Sequence, residues 1–248
     1  MLDVDAVILR YETQDRVITA IDRVSIAVGP GERVVLLGPS GCGKTTLLKA
    51  IAGFITPAAG SISLHGAPIR GAGPDRIMIF QEFDQLLPWK TVEANIAFPL
   101  RATSRCGAAE ATSRATEYVG KLGLTGFARA YPHQLSGGMK QRVALARALA
   151  MKPDILLMDE PFGALDALTR ETMQDELMRL WDELRFTLVL VTHSIEEALA
   201  IGDRVAVFTA HPGRIKAEIA GGVRAVDAEF PALLRRVREL LAEDQPPA

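Results

Sequence analysis

Apolar and polar residues alternate between Val24 and Val28, so that Val24, Ile26 and Val28 share one face. Successive side chains of a strand point to opposite faces, and this spacing predicts a half-buried strand. Gly29-Pro30-Gly31-Glu32 then reads as a turn. Val34-Val35-Leu36-Leu37 is a short unbroken apolar run, the pattern of a parallel strand covered on both faces. It leads into the glycine-rich residues 38–43, after which residues 44–53 read as a helix. The order here is strand, loop, helix.

Residues 81–152 change character. They are rich in alanine and in helix-forming stretches, such as 108–122 and 136–151. Beyond them the alternation of element types returns. Residues 155–158 form an apolar run that predicts a buried strand. Met173, Leu177, Leu180, Trp181 and Leu184 then fall on one face at helical spacing. Residues 187–191 predict a β-branched strand, 194–200 a helix and 204–208 another strand. Strands alternating with helices imply an α/β fold with a mainly parallel sheet covered on both faces. The helical middle reads as a lobe inserted into one domain. The expected boundaries are 1–80 and 153–223 for the core, 81–152 for the lobe and 224–248 for a C-terminal helix. In that helix Phe230, Leu233, Leu234, Val237, Leu240 and Leu241 make an apolar stripe opposite Arg235, Arg238 and Glu239. The stripe is expected to pack on its own domain, since its polar face mixes both signs of charge.

Composition narrows the function classes. The 248 residues are long enough for one sizeable core, and the net charge of -2 carries no basic excess. Nucleic acid is therefore not an expected partner. The two separated cysteines, Cys42 and Cys106, make no disulfide framework and suggest a reducing compartment. Asp3 and Asp5 stand where a signal peptide carries positive charge, and no stretch approaches the ~20 apolar residues of a membrane span. The chain is expected to be soluble and to reach a membrane only through a partner.

The chemistry concentrates at two places. Gly38-Pro39-Ser40-Gly41-Cys42-Gly43-Lys44-Thr45, followed by Thr46, fits G-x-x-x-x-G-K-[ST] between a strand and a helix. Glycines let backbone N–H groups curl around an anion, and the helix N-terminus adds partial positive charge. Lys44 suits the β- and γ-phosphates, and the Thr45 hydroxyl suits Mg²⁺. A glycine-rich turn is the plain alternative for the pattern alone, and the flanking elements favour phosphate binding. The second place is Asp159-Glu160-Pro161, at the end of the strand 155–158. At the same sheet edge, Asp159 suits Mg²⁺ and Glu160 suits the polarisation of an attacking water. A charged strand end at a surface turn is the competing reading.

Leu135-Ser136-Gly137-Gly138-Met139-Lys140-Gln141-Arg142 resembles the LSGGQ signature of the ABC ATPases, with Met139 in the usual Gln place. Gln81 resembles the Q-loop residue, Ala164-Leu165-Asp166 the D-loop, His193 the switch histidine and Tyr11 the aromatic that stacks on adenine. The resemblance runs from about Val7 to Ile219. It implies a RecA-like P-loop NTPase with a mainly parallel sheet, an antiparallel β region and an inserted α-helical lobe. It implies ATP and Mg²⁺, with Glu160, His193 and Gln81 in catalysis and Thr45, Gln81 and Asp159 around the metal. Tyr11, residues 38–46, Ser136, Gly137, Gly138 and Asp166 would contact nucleotide. Ser136 opens a predicted helix, and in this family that end faces ATP held by a second copy. A nearer resemblance is to importers of nitrate, sulfonate, taurine or bicarbonate, carried by Leu86-Leu87-Pro88-Trp89, Thr91-Val92-Glu93-Ala94-Asn95, residues 159–166 and Pro212-Gly213-Arg214-Ile215. The chain is expected to lack the long C-terminal regulatory domain of sugar-importer ATPases. The implied partners are integral membrane permease subunits and, through them, a periplasmic or extracellular solute-binding protein. The implied location is the cytoplasmic face of the inner membrane. A soluble ABC ATPase acting on DNA or ribosomes and a metabolic P-loop kinase are the other classes. The first generally carries two cores or a coiled-coil insertion, and the second lacks the signature.

Other residues have plainer readings. His65, His133 and His211 lack ligand spacing and read as surface or loop histidines, so no metal beyond Mg²⁺ is expected. Cys42 is a small residue that fits its loop. Cys106 reads as an exposed loop thiol and Trp181 as core. Tyr11 is either a strand-face aromatic or the adenine stacker. Trp89 is either buried packing or part of a groove for the membrane partner.

Overall fold

The alternation at Val24–Val28 is realised as the end of a long strand in a computed structural model of the chain, which describes residues 1–12, 16–81 and 85–243. The chain divides into two units. The first comprises Met1–Gly73, Leu157–Glu160 and Phe186–Ala248. Its four-stranded sheet has the order β2 (Val17–Val28), β1 (Leu2–Glu12), β4 (Ala59–Leu64), β5 (Ala67–Pro68), and its paired neighbours are antiparallel. Val4 stands opposite both Ile26 and Ile62, and all three are buried, so period two in each strand builds one apolar face.

The second sheet of this unit is centred on β3 (Arg33–Leu37), which pairs in parallel with β8 (Thr187–Thr192) and β9 (Arg204–Phe208). Every residue of β3 and β8 is buried, as continuous apolar runs in a two-sided sheet require. The C-terminal half of β7 (Ile155–Asp159) extends the sheet beyond β8. β10 (Ile215–Ala220) closes the other edge antiparallel to β9, a strand the sequence pattern did not announce. Among the described residues, the helices of this unit are α1 (Lys44–Ile51), α6 (Ile195–Ile201) and α7 (Phe230–Ala242). In α7, Phe230, Val237 and Leu240 are buried, and the helix packs on α6 and β9. Leu233, Leu234 and Leu241 are half-buried.

The second unit comprises Pro74–Leu156 and Pro161–Arg185. It holds β6 (Arg76–Ile79), α2 (Val92–Ala102), α3 (Ala108–Lys121), α4 (Gly137–Ala150) and α5 (Ala167–Leu184). Met173, Leu177, Leu180 and Trp181 of α5 are buried, and Leu184 at the end of the stripe is half-buried. Among the described residues, four helices begin with a side chain that accepts an N–H three residues on: Thr91, Ser136, Asp166 and Ser194. Each satisfies one of the donors that a helix start leaves open. Among the described residues no helix is long and apolar enough to cross a membrane.

Candidate active site

β3 delivers the chain into the loop at Gly38. A Cβ there would stand 2.9 Å from Phe208 Cβ, so the loop lies against β9 more closely than a side chain permits. Gly43 sits at φ 101, and a Cβ on it would meet the Ala20 carbonyl oxygen at 2.6 Å. That backbone region favours glycine. Lys44 then opens α1 and is only 4% exposed. Its Nζ donates to the Gly38 and Pro39 carbonyls at 2.7 and 2.8 Å, and lies 3.6 Å from Cys42 Sγ. The ammonium is thus folded back along the loop. The first turn of α1 holds no acidic residue, which leaves the positive end of the helix to an anion from outside.

Two side chains of α1 reach across the unit. Thr45 Oγ1 donates to Asp159 Oδ1 at 2.8 Å, and Thr46 Oγ1 shares a 2.8 Å hydrogen bond with the Tyr11 hydroxyl. Asp159 ends β7 and is buried. Burial pushes its carboxyl above the ordinary range, against the opposing pull of the Thr45 hydroxyl, Lys49 and Lys44. Tyr11 is 42% exposed on β1, its ring available at the surface.

Glu160 leaves the strand with φ 43, a conformation uncommon outside glycine, while its N–H bonds the Val191 carbonyl at 2.9 Å. The backbone is therefore anchored to β8 as it turns. The Glu160 carboxylate meets His193, in the turn between β8 and α6, with Oε2 3.0 Å from Nδ1. Residues distant in sequence are brought together because β7 and β8 end at the same edge.

The loop, the start of α1 and Glu160 border a cavity of about 310 Å³, with Asp159 and His193 bonded to its lining residues Thr45 and Glu160. Tyr11, Ser40, Gly41, Gly43, Lys44, Thr45, Thr46 and Glu160 line it, and so do Ile18, Ala20 and His211. His211 had read as a plain loop histidine. Its loop is stitched to β2 by Gly213, whose N–H bonds Ala20 and whose carbonyl accepts from Asp22. Proximity to Pro212-Gly213-Arg214-Ile215 was the one signal available.

Buried ammonium, helix N-terminus and paired carboxylates suit a polyphosphate. Mg²⁺ fits the donors present. It prefers oxygen and takes one or two carboxylates together with phosphates. Asp159 and Thr45 supply a carboxylate and a hydroxyl in contact. Among the described residues no group of three or more His, Cys, Asp or Glu side chains forms a separate metal site.

The remaining expected site residues belong to the second unit. Gln81 is exposed after β6. Ser136 caps α4, its Oγ accepting the Met139 N–H at 3.3 Å, and Gly137 and Gly138 form the first turn. Asp166 caps α5 through the Thr169 N–H at 3.0 Å, a bond that holds its carboxyl below the usual range. A Cβ on Gly138 would stand 2.8 Å from Thr169 Cγ2, so the two capped helix starts lie side by side.

The second unit also has an apolar groove of about 240 Å³, whose walls include Ile77, Leu87, Phe98, Pro99 and Met151. Buried Asn95 donates to the carbonyls of Leu87, Lys90 and Thr91 and accepts the Leu87 N–H, fixing the preceding turn. On that turn Trp89 is 70% exposed, which removes the buried-packing reading, and it is not among the groove-lining residues. Phe83, which precedes this turn in sequence, lies outside the described residues. Cys106 is half-buried, less open than its loop position suggested.

Comparison with known proteins gives a consistent picture. The ABC transporter family model matches residues 21–163. A taurine import ATP-binding protein of Rhizobium johnstonii is 46% identical over 238 residues, covering 91% of this chain and 90% of that protein. A nitrate import ATP-binding protein of Synechococcus elongatus is 43% identical over 226 residues, covering 91% and 79%. Among solved structures, a dimeric bacterial ABC transporter cassette superposes with a TM-score of 0.78 at 34% identity, over 89% of this chain and 98% of that one. A dimeric post-hydrolysis cassette bound to ADP and Pi gives 0.77 at 33% identity, with the same coverage.

Proposed function

The chain belongs to the ABC transporter family, and on that premise we propose that it is the ATP-hydrolysing subunit of an importer for a small anion such as taurine or nitrate. The observation that carries this reading is the single cavity bordered by Lys44, Thr45 and Glu160, with Asp159 bonded to Thr45 and His193 bonded to Glu160. The importer assignment is supported by the names and coverage of the taurine and nitrate import relatives.

In this reading the loop amides, the start of α1 and Lys44 hold the phosphates of ATP, and Tyr11 flanks the adenine. Thr45 and Asp159 would hold Mg²⁺, which when bound offsets phosphate charge. Glu160 takes a proton from water as the water oxygen bonds to the γ-phosphorus. The bond to the β-phosphate oxygen breaks, and ADP and phosphate leave. His193 fixes the Glu160 carboxylate through the Nδ1 bond. Gln81 reports nucleotide state to the helical lobe.

Ser136, Gly137, Gly138 and Asp166 act on ATP held by a second copy of the chain. Support comes from the Ser136-capped start of α4, which has no acidic residue in its first turn and suits an anion, and from the dimeric state of the related cassettes. The groove beside the Asn95-fixed turn, with Trp89 exposed near it, receives a permease subunit, and the permease holds the chain at the cytoplasmic face of the membrane. A solute-binding protein outside the membrane supplies the solute. The chain works as one ATPase domain with an inserted helical lobe. Equilibrium binding and hydrolysis of ATP by the purified chain test the site. Lys44→Ala is expected to abolish both, and unchanged binding in that variant would contradict the reading.

A further inference from the structure

The turn that carries His193 is closed on both sides by hydrogen bonds to one residue of α6. Thr192, immediately before the histidine, is 2% exposed, and its hydroxyl donates to Glu197 Oε2. The same Thr192 oxygen accepts the N–H of Ser194, immediately after the histidine, at 3.0 Å. Ser194 Oγ in turn accepts the Glu197 N–H at 3.2 Å. Glu197 is itself only 7% exposed. The residues flanking His193 are thus bonded to each other and to Glu197, through its carboxylate on one side and its amide on the other.

A carboxylate withdrawn from water is costly unless it is hydrogen-bonded, and a helix cap needs only the Ser194 hydroxyl and the Glu197 amide. The Glu197 carboxylate is additional to the cap. α6 packs on β3 and α7, and Arg238 of α7 pairs with Glu196 at 3.3 Å, so the base of the turn is braced. The His193 imidazole, by contrast, extends outward and meets Glu160.

We propose that Glu197 is a positioning residue for ATP hydrolysis, holding the His193 backbone through Thr192 and Ser194 so that the imidazole meets Glu160. The inference rests on the reading of Glu160 and His193 given above. A group displaced from its productive geometry loses rate without losing ground-state binding. The effect therefore falls on kcat and leaves the KM for ATP in place.

The test is a double-mutant cycle on ATP turnover, with Glu197→Ala and Thr192→Val each made in the wild-type and His193→Ala backgrounds. Thermal melts of the variants accompany it. In the wild-type background each substitution is expected to lower kcat about tenfold or more at unchanged KM. Glu197→Gln keeps a side-chain oxygen acceptor and is expected to restore most of the rate. In the His193→Ala background neither substitution is expected to lower kcat further. If Glu197→Ala does not fold, Thr192→Val, which keeps a β-branched shape, carries the same cycle. Equal losses in both backgrounds would overturn the inference and leave Glu197 a stabiliser of α6. Wild-type kcat in Thr192→Val and Glu197→Ala would overturn it also. Wild-type turnover in His193→Ala alone would instead remove the reading of His193, and the inference with it.

Discussion

Glu160 Oε2 lies 3.0 Å from His193 Nδ1, joining the residue just beyond β7 to the residue just beyond β8. The bond fixes a carboxylate whose backbone is already turned into the left-handed region. Neither residue holds the phosphate loop together. Glu160→Gln is therefore expected to bind ATP with wild-type affinity while turnover falls by about 10²–10⁴-fold, the range for loss of a general base. Single-turnover hydrolysis at saturating ATP measures it, and an ATP-bound dimer is expected to accumulate.

Asp159 is the buried carboxylate bonded to Thr45. Asp159→Asn keeps a hydrogen-bond acceptor for Thr45 but removes the negative charge. The Mg²⁺ concentration giving half-maximal hydrolysis is expected to rise roughly tenfold or more, about 1.4 kcal/mol for each factor of ten. A Mg²⁺ titration at fixed ATP checks this, with a melt to confirm that the variant is folded.

The placement of the glycine-rich loop and of the acidic pair at strand ends was legible because each is a local run of adjacent residues. So was α5, whose apolar stripe at helical spacing is the face that Met173, Leu177, Leu180 and Trp181 bury. β10 was not legible. Its solvent-side Glu218 and its half-buried Lys216 blur the alternation of an edge strand. His211 carries no spacing signal, and only the fold of the β9–β10 loop brings it to the cavity. The Glu197 contact to Thr192 was likewise invisible, since a glutamate in the first turn of a helix ordinarily reads as a dipole partner.

The shared site has a complementation signature. If Ser136 acts on the partner's ATP, Ser136→Arg and Lys44→Ala are each inactive alone. Mixed in equal amounts they form heterodimers with one intact composite site and one doubly damaged site. Random pairing of a two-fold dimer leaves about one site in four intact. Recovery of activity on mixing is expected, measured as ATP turnover against each variant alone. A mixture as inactive as its components would remove the shared-site reading.

Trp89 is 70% exposed on a turn held by Asn95. Trp89→Ala is expected to leave the melting temperature and ATP binding of the isolated chain unchanged. An aromatic anchor seated in a partner contributes about 2 kcal/mol or more, so co-purification with the permease is expected to weaken sharply. Asn95→Ala removes the bonds that shape the turn and is expected to lower both the melting temperature and the pull-down yield. Comparing melt with pull-down for the two variants separates docking from folding.

The most direct measurement of the central claim is ATP hydrolysis by the chain assembled with its permease in lipid vesicles, with and without the solute-loaded binding protein. The account expects turnover to rise when the loaded binding protein is added and solute to accumulate in step with it. Both are expected to vanish in Glu160→Gln. Hydrolysis that is unaffected by the permease and the loaded binding protein, with no solute movement, would contradict the claim that this ATPase drives import.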